Sequence, residues 1–167
     1  KPYLTPWFRR GILNLEFYQI MSIKIISTNK KAFHDYTLSE RLEVGIKLTG
    51  AETKSAKAGS VNLKGSFVII ENGELVIKNM HIGAYKPARQ EGYDPVRNRK
   101  LLAHKKEIER LAGLIEQKRA TVVPLNIHLK NGFVKLEIAL AKHKQKWDTR
   151  EALKKRDLDR EQKRTES

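Results

Sequence analysis

The chain has 167 residues, of which 40% are hydrophobic and 32% charged, so it is long enough to bury one core and little more. Lys and Arg number 34 against 19 acidic residues, and the formal net charge of +15 predicts a polyanionic partner. The absence of cysteine excludes disulfides and thiolate metal sites, and it fits a reducing, cytoplasmic compartment. No long apolar run or concentrated basic amphipathic helix indicates a membrane partner, so nucleic acid is the favoured polyanion.

The first part of the chain, residues 1–20, shows neither a helical nor a strand period, and Met21 precedes the first regular pattern. We therefore expect an extension outside the core, with Met21 as the natural start. Arg9 and Arg10 stand before an apolar stretch, as in a targeting segment. Polar residues interrupt that stretch and no small-residue cleavage site follows, so a targeting signal is the less favoured interpretation.

Strand patterns dominate from Asn29 onward. Val44, Ile46 and Leu48 alternate with polar or small residues, which predicts a strand with one buried face. The stretch 52–58 then reads as a short helix ended by Gly59.

Two hairpins are predicted from Asn-Gly pairs, because both residues of such a pair accept the positive φ angles of a tight turn. Asn72-Gly73 joins the apolar runs 67–70 and 75–77. Asn131-Gly132 joins a second pair of alternating segments, one over 125–129 and one over 134–140.

Between the hairpins, Asp94-Pro95 has the residue types that begin a helix, since aspartate caps free amides and proline fits the first turn. Apolar residues then recur at helical spacing, which predicts one long amphipathic helix packed on the sheet. These residues are Leu101, Leu102, Ile108, Leu111 and Ile115.

The fold class predicted from these elements is mainly β: a small antiparallel OB-like barrel over residues 21–141, with one long inserted helix. A ferredoxin-like sandwich is the alternative, but it requires two comparable helices.

The C-terminal segment 142–167 is rich in charge and poor in apolar residues. Pairs such as Glu151–Lys155 favour a helix, but Leu153 and Leu158 alone cannot form an apolar face. We expect a basic tail that is disordered when free and helical when a partner stabilises it.

No catalytic or metal-binding constellation is visible in the sequence. The five histidines are scattered, and no nucleophile motif or phosphate-binding loop is present, so we expect neither an enzyme nor a cofactor. The alternative class is a metal-dependent nuclease that uses Glu43, Glu52 and Asp94.

Basic clusters unmatched by acids favour a surface that binds phosphates whatever the base sequence. They are Lys30-Lys31, Lys54 with Lys57, Lys86 with Arg89, and 97–100 continuing into Lys105-Lys106.

Several strings in a fixed order closely resemble the tmRNA-binding protein family of bacterial trans-translation, also called small protein B or SsrA-binding protein. The resemblance covers about residues 29–157. The strings are NKKAFHDY, EVGIKLTGAETKSAKAGSVNLKGSFV, NMHI, YDPVRNRKLLAHKKEI, VVPLNIHLKNGFVKLEIALAK and WDTREALKKRD.

The resemblance implies an OB-type barrel that binds the tRNA-like domain of tmRNA. It implies delivery of tmRNA, with elongation factor Tu, to stalled ribosomes for rescue and nascent-chain tagging. A general OB-fold RNA-binding protein of the translation apparatus is the alternative.

The resemblance also implies site residues. Glu43, Leu102 and Lys135 match the family's RNA-binding surface, although the helical pattern would equally place Leu102 in the core. Together with the basic clusters, the predicted RNA-binding residues are Lys30, Lys31, Glu43, Lys54, Arg97, Arg99, Lys100, Leu102 and Lys135.

The tail is expected to contact the rRNA of the decoding centre and the mRNA channel of the ribosome. The residues assigned to it are Trp147, Asp148, Arg150, Lys154, Lys155 and Arg156. The chain departs from the family pattern at His143, where glycine is common, and at Thr149, where lysine is common.

Overall fold

The computed structural model describes residues 23–87 and 92–144 of the chain. Within those ranges the backbone forms nine strands and three helices. The strands are β1 (Lys24–Thr28), β2 (Tyr36–Ile46), β3 (Val61–Asn62), β4 (Phe67–Glu71), β5 (Glu74–Lys78), β6 (His81–Ile82), β7 (Arg99–Leu102), β8 (Thr121–Lys130) and β9 (Phe133–His143). The helices are α1 (Lys30–Asp35), α2 (Gly50–Lys57) and α3 (Lys105–Lys118).

Antiparallel pairing closes the sheet into a barrel. The strands follow the order β8-β4-β5-β7-β2-β9, and β9 pairs again with β8. The long strand β8 has β9 on one edge, and its other edge is shared by β4, at Val122, and β1, from Asn126 to Leu129. The predicted antiparallel barrel is therefore confirmed, with the short strand β7 as a sixth member where the OB-fold has five strands.

Both predicted hairpins are confirmed. Asn72 and Gly73 connect β4 to β5 with φ angles of 51° and 75°. Asn131 and Gly132 connect β8 to β9 with φ angles of 51° and 80°. Positive φ at both central residues matches the right-handed twist of the flanking strands, which is why Asn-Gly occurs there.

The core lies inside the barrel, where inward residues alternate with outward ones along each strand. Leu75 and Ile77 of β5 and Leu136 and Ile138 of β9 have no exposed surface. Helix α3 contributes Leu111 to the same core. Within the part of the chain that the structure describes, no helix is long and apolar enough to span a membrane.

The long helix begins later than the sequence predicted. Helix α3 starts at Lys105, and the carboxylate of Glu107 accepts a 2.8 Å hydrogen bond from the His104 amide, which caps the helix. Leu101 and Leu102 belong to β7 instead, where Leu101 is buried and Leu102 exposed. The helix prediction was wrong at this end because a four-residue strand offers too few positions to reveal its period of two.

The Asp94-Pro95 pair does not begin a helix. The Asp94 carboxylate accepts a 2.9 Å hydrogen bond from the Val96 amide, but the chain turns there and then enters β7. The cap chemistry was read correctly, since an aspartate can satisfy free amides of a turn as well as those of a helix.

Helix α2 is the predicted short helix, displaced by two residues at its start. It begins after Thr49, whose hydroxyl accepts a 3.3 Å hydrogen bond from the Glu52 amide. The Glu52 carboxylate accepts a 2.9 Å bond from the Thr49 amide in return, which completes a capping box. Gly59 follows the helix with a φ of 87°, a conformation that glycine adopts without strain.

The same Glu52 carboxylate forms a buried ion cluster with two arginines. Arg97 donates from Nε to Oε1 at 2.8 Å and from Nη2 to Oε2 at 2.5 Å. Arg99 donates from Nε to Oε1 at 3.0 Å, and neither its side chain nor that of Glu52 is exposed. A buried carboxylate is tolerated here because both oxygens have cationic donors.

Arg99 also binds the backbone of the segment that precedes it. Its Nη1 donates to the Met80 carbonyl at 2.7 Å, and its Nη2 donates to the Pro95 carbonyl at 3.1 Å. The Arg99 side chain therefore joins β7 to α2 and to the backbone on both sides of β6, at Met80 and at Pro95.

Stability should depend on pH through Glu52. Burial raises the pKa of Glu52, but hydrogen bonds from Arg97 and the Thr49 amide, with the charge of Arg99, lower it to about 2, below its ordinary 4.5. Because the folded pKa is lowered, the contribution to stability is present above pH 4.5 and is lost as the pH falls towards 2.

In urea titrations between pH 6 and pH 2, the free energy of unfolding of the wild type should therefore fall by about 3 kcal/mol more than that of Glu52→Gln. At neutral pH the variant should be less stable by about 3 kcal/mol, since Arg99 loses its counterion in the interior. Parallel pH profiles for the two proteins would contradict this assignment.

Candidate RNA-binding surface

Strand register aligns one row of residues across the outside of the barrel. Leu102 of β7 pairs with Gly45 of β2, and Gly45 pairs on its other side with Lys135 of β9. Lys135 pairs in turn with His128 of β8, and His128 with Ile25 of β1. Directly opposed residues project from the same face of a sheet, so five strands contribute to this row.

The carboxylate of Glu43, next to this row on β2, is the centre of an ion cluster. Lys130 donates to its two oxygens at 3.1 and 3.2 Å. His128 Nε2 lies 3.1 Å from Oε2, and Lys135 Nζ lies 3.8 Å from Oε1. We call Glu43, Leu102, His128, Lys130 and Lys135 the Glu43 surface.

The Glu43 carboxylate stays ionised in this setting. Its partial burial raises the pKa, but hydrogen bonds from Lys130 and His128 and their positive charges outweigh that effect and hold the pKa below its ordinary value. The group remains partly exposed, with 34% of its side-chain surface accessible. An ionised, accessible carboxylate can accept hydrogen bonds from the amino and imino groups of a base or from a ribose hydroxyl.

The three residues that the family resemblance assigned to RNA binding line one open hollow. Leu102 is 52% exposed on its rim, and Glu43 and Lys135 lie across from it. Gly45 makes room for this arrangement, since a Cβ added there would lie 3.2 Å from the Leu102 Cβ. The core alternative for Leu102 is therefore wrong. The hollow is lined by Glu43, Gly45, Leu102, Ala103, His104, Glu107 and Lys135.

Other predicted RNA-binding lysines are exposed but lie outside this hollow. Lys30 and Lys31 stand on α1, and Lys54 on α2 places its ammonium 5.5 Å from the ring centre of Tyr85. Lys100 pairs with Glu74 on the neighbouring strand. These side chains can reach phosphates, but the structure does not bring them together with Glu43.

The two predicted arginines belong to the buried Glu52 cluster. Arg99 has no exposed side-chain surface, so the structure assigns it to the interior and not to an RNA-binding surface. Arg97 is 36% exposed, but two of its donors are directed at Glu52. In the sequence both arginines belong to a basic run, because their acidic partner Glu52 lies far away in the chain.

The carboxylates considered for a metal-dependent nuclease are not gathered into one site. Glu43 is held by lysines, Glu52 by arginines, and Asp94 accepts from a backbone amide. Over residues 23–87 and 92–144, no group of three or more His, Asp or Glu side chains is placed to hold a metal ion.

Two members of the Glu43 surface, His128 and Lys130, were missed at the sequence level. The signal was available in the register of the second hairpin. With Asn131 and Gly132 as the turn, His128 must oppose Lys135. Searching for metal-ligand spacing along the chain could not detect a pair made across strands.

The base of the tail is anchored on α1. Strand β9 extends to His143, two residues past the predicted boundary, and the His143 ring meets Tyr36 edge-on at 5.2 Å. The Lys144 amide donates to the Asp35 carbonyl at 3.0 Å. The predicted ribosome-binding residues lie outside the described residues, as does Thr149: Trp147, Asp148, Arg150, Lys154, Lys155 and Arg156.

Comparison with known sequences places the chain in a family. The family model described as SmpB protein matches residues 26–167. The chain belongs to the SmpB family. The SsrA-binding protein of Sulfurihydrogenibium sp. (strain YO3AOP1) is 55% identical over 141 residues, which is 84% of this chain and 93% of the relative. The SsrA-binding protein of Geobacter sulfurreducens is 50% identical over 84% of this chain and 92% of its own length.

A solved structure also matches the SmpB-family barrel. It is described as "tmRNA-SmpB: a journey to the center of the bacterial ribosome", and one of its chains is 42% identical to this one. The match covers 76% of this chain and 93% of that chain with a TM-score of 0.61. The resemblance drawn from the sequence motifs is thereby confirmed.

Adjacent leucines of β7 offer a test of the site geometry. Leu101→Ala should destabilise the protein by about 2–5 kcal/mol, because the side chain is buried in the core. Leu102→Ala should change the free energy of unfolding by about 0.5 kcal/mol or less, because the side chain is exposed. Chemical denaturation of both variants measures this, and equal losses would place Leu102 in the core.

Proposed function

We propose that this chain is a non-catalytic RNA-binding adaptor of trans-translation that binds the tRNA-like domain of tmRNA through the Glu43 surface. The observation that carries the proposal is the convergence of Glu43, Leu102 and Lys135 on one open hollow from three distant parts of the chain. Two relatives of this chain are named SsrA-binding proteins, which supports tmRNA as the proposed partner.

The hollow combines the kinds of contact that an RNA loop requires. Lys135 in the hollow and Lys130 beside Glu43 supply cations for phosphates, and the Glu43 carboxylate accepts hydrogen bonds from base or ribose donors. Leu102 offers an apolar surface for an unstacked base or a ribose. Shape and single-stranded features are what proteins read in RNA, since the major groove of its helix is too narrow for side chains.

Delivery to the ribosome is the second part of the proposal. We propose that the chain acts in the cytoplasm, brings tmRNA with elongation factor Tu to a stalled ribosome, and uses its tail to contact the rRNA of the decoding centre and mRNA channel. The solved relative described together with tmRNA and the bacterial ribosome supports this assignment. Five cationic residues between 150 and 160 suit a path lined by rRNA.

Binding should be strongly salt dependent. For a transcript of the tRNA-like domain, log K should fall by about 0.7–0.9 per contacted phosphate for each tenfold increase in salt. Lys135→Ala should weaken binding and reduce that slope by nearly the amount expected for one phosphate contact. Lys78, which pairs with Glu71 on the neighbouring strand, provides the control, and Lys78→Ala should leave the slope unchanged. Salt-independent binding would rule out a phosphate-contacting surface.

The alternative of a metal-dependent nuclease is tested by incubating the protein with the same RNA transcript, with and without magnesium. The RNA should be recovered intact in both cases. Magnesium-dependent cleavage that disappears in Glu43→Gln or Asp94→Asn would refute the adaptor proposal.

Truncation after Lys144 should separate the two proposed tasks. The retained residues include all of β9 and its contacts to α1, so the midpoint of thermal unfolding and the affinity for the tRNA-like domain should stay close to the wild type. Tagging of nascent chains on stalled ribosomes in a reconstituted translation system should be lost. Persistent tagging would show that ribosome rescue does not require the tail. Loss of RNA binding would show that the tail takes part in binding the tRNA-like domain.

A further inference from the structure

His128 occupies an unusual position beneath the Glu43 surface. Its side chain is only 7% exposed, although it stands on the outward row of the barrel. Its Nε2 lies 3.1 Å from the Glu43 carboxylate, and its Nδ1 lies 2.9 Å from the Asn126 side-chain oxygen. Both ring nitrogens therefore have a polar partner in a nearly water-free setting.

Both partners of the ring are hydrogen-bond acceptors. The Glu43 carboxylate is ionised and can only accept. Asn126 directs its amino group to the Glu137 carboxylate, so its carbonyl oxygen is the atom that faces His128. A ring that meets an acceptor at each nitrogen must donate from both, and only the imidazolium form of histidine does so.

The charges around the ring suit an imidazolium. From β2 the Glu43 carboxylate faces it, and β1 contributes only the apolar side chain of Ile25 at the paired position. The other charged groups of the cluster are Lys130 on β8, Lys135 and Glu137 on β9, and Arg41 on β2, whose Nη1 lies 3.5 Å from Glu137. The neutral side chain of Asn126 separates the ring from Glu137, so Glu43 is the charged group that contacts the ring directly.

We propose that His128 is a positioning residue for RNA recognition, and that its protonated ring holds the Glu43 carboxylate at the hollow lined by Leu102 and Lys135. This inference rests on the proposed function of the Glu43 surface. The two lysines that also bind Glu43 are long and partly exposed, at 41% and 35%, so they restrain the carboxylate less than a buried ring does.

Affinity for RNA should consequently depend on pH. A ring that loses its proton keeps one donor, and either Glu43 or Asn126 then faces a lone pair. The carboxylate is released from its fixed position, so binding should weaken once the ring has lost its proton.

The experiment measures binding of a transcribed tRNA-like domain at constant salt between pH 6 and pH 8. Wild-type affinity should fall by about tenfold over this range, as expected for loss of one hydrogen bond to a charged group. His128→Gln keeps an uncharged donor near Glu43 and should show a flat profile at intermediate affinity. His128→Leu should bind about tenfold more weakly than the wild type at pH 6. Exposed His81 provides the matched control, and His81→Gln should retain the wild-type profile.

A double-mutant comparison separates positioning from general damage. If His128 acts through Glu43, His128→Leu should have no further effect on RNA affinity in a Glu43→Ala protein. Additive losses, or a wild-type pH profile in His128→Gln, would overturn the inference. Failure of the wild type to bind the transcript would refute the proposed function itself, so the two failures are distinct.

A spectroscopic arm needs no RNA. In the ¹⁵N NMR spectrum of the full chain at pH 6, both His128 ring nitrogens should carry protons. This signature should persist to a higher pH in the wild type than in Glu43→Ala. A neutral single tautomer of His128 at pH 6 would overturn the inference even if His128→Leu failed to fold.

Discussion

The Glu52 carboxylate, buried between two arginines, is the contact on which the arrangement of the site depends. Arg99 lies in β7 with its side chain inside, bound to Glu52 and to the Met80 and Pro95 carbonyls. Because strand residues alternate between faces, an inward Arg99 directs Leu101 inward and Leu102 outward. The ion pair thus fixes the register that exposes Leu102 beside Gly45. Burying the Glu52 carboxylate costs solvation free energy, and four hydrogen bonds from Arg97, Arg99 and the Thr49 amide offset that cost.

The fold could be predicted where local chemistry determines conformation. Asn72-Gly73 and Asn131-Gly132 specify turns by their backbone preferences, and the long alternating runs on either side specify strands. Strand β7 could not be predicted, because its polarity pattern is inverted: a buried arginine and an exposed leucine both contradict the usual rule for their residue types. Only the distant partner of Arg99 explains that inversion, and periodicity along the chain carries no information about such a partner.

The structure places the three residues from the family motifs on one surface, and their contact with RNA stays a prediction. The spacing of Glu43, Leu102 and Lys135 along the chain does not show that they share a hollow. The pairing of β7 with β2 and of β2 with β9 brings them together. Composition overestimated the basic surface, since it counts Arg99 equally with Lys30 although one is buried and the other exposed. It also overlooked His128, because a histidine acquires a role from its cross-strand neighbours and not from its neighbours in sequence.

Glu52 and Glu43 each have at least two cationic partners, and exposure decides what each carboxylate can do. At Glu52 the donors are the buried Arg99, the partly exposed Arg97 and a backbone amide, and both oxygens of the buried carboxylate are satisfied. Such a group can stabilise the fold but cannot bind a ligand. At Glu43 two of the partners are partly exposed lysines, and under the proposed function these would move to phosphates when RNA binds. The Glu43 carboxylate would then lose the two lysines that hold it, unless a buried partner keeps its position fixed. Among its described partners, buried His128 alone meets that requirement, because its ring is fixed by Asn126 on one side and by Glu43 on the other.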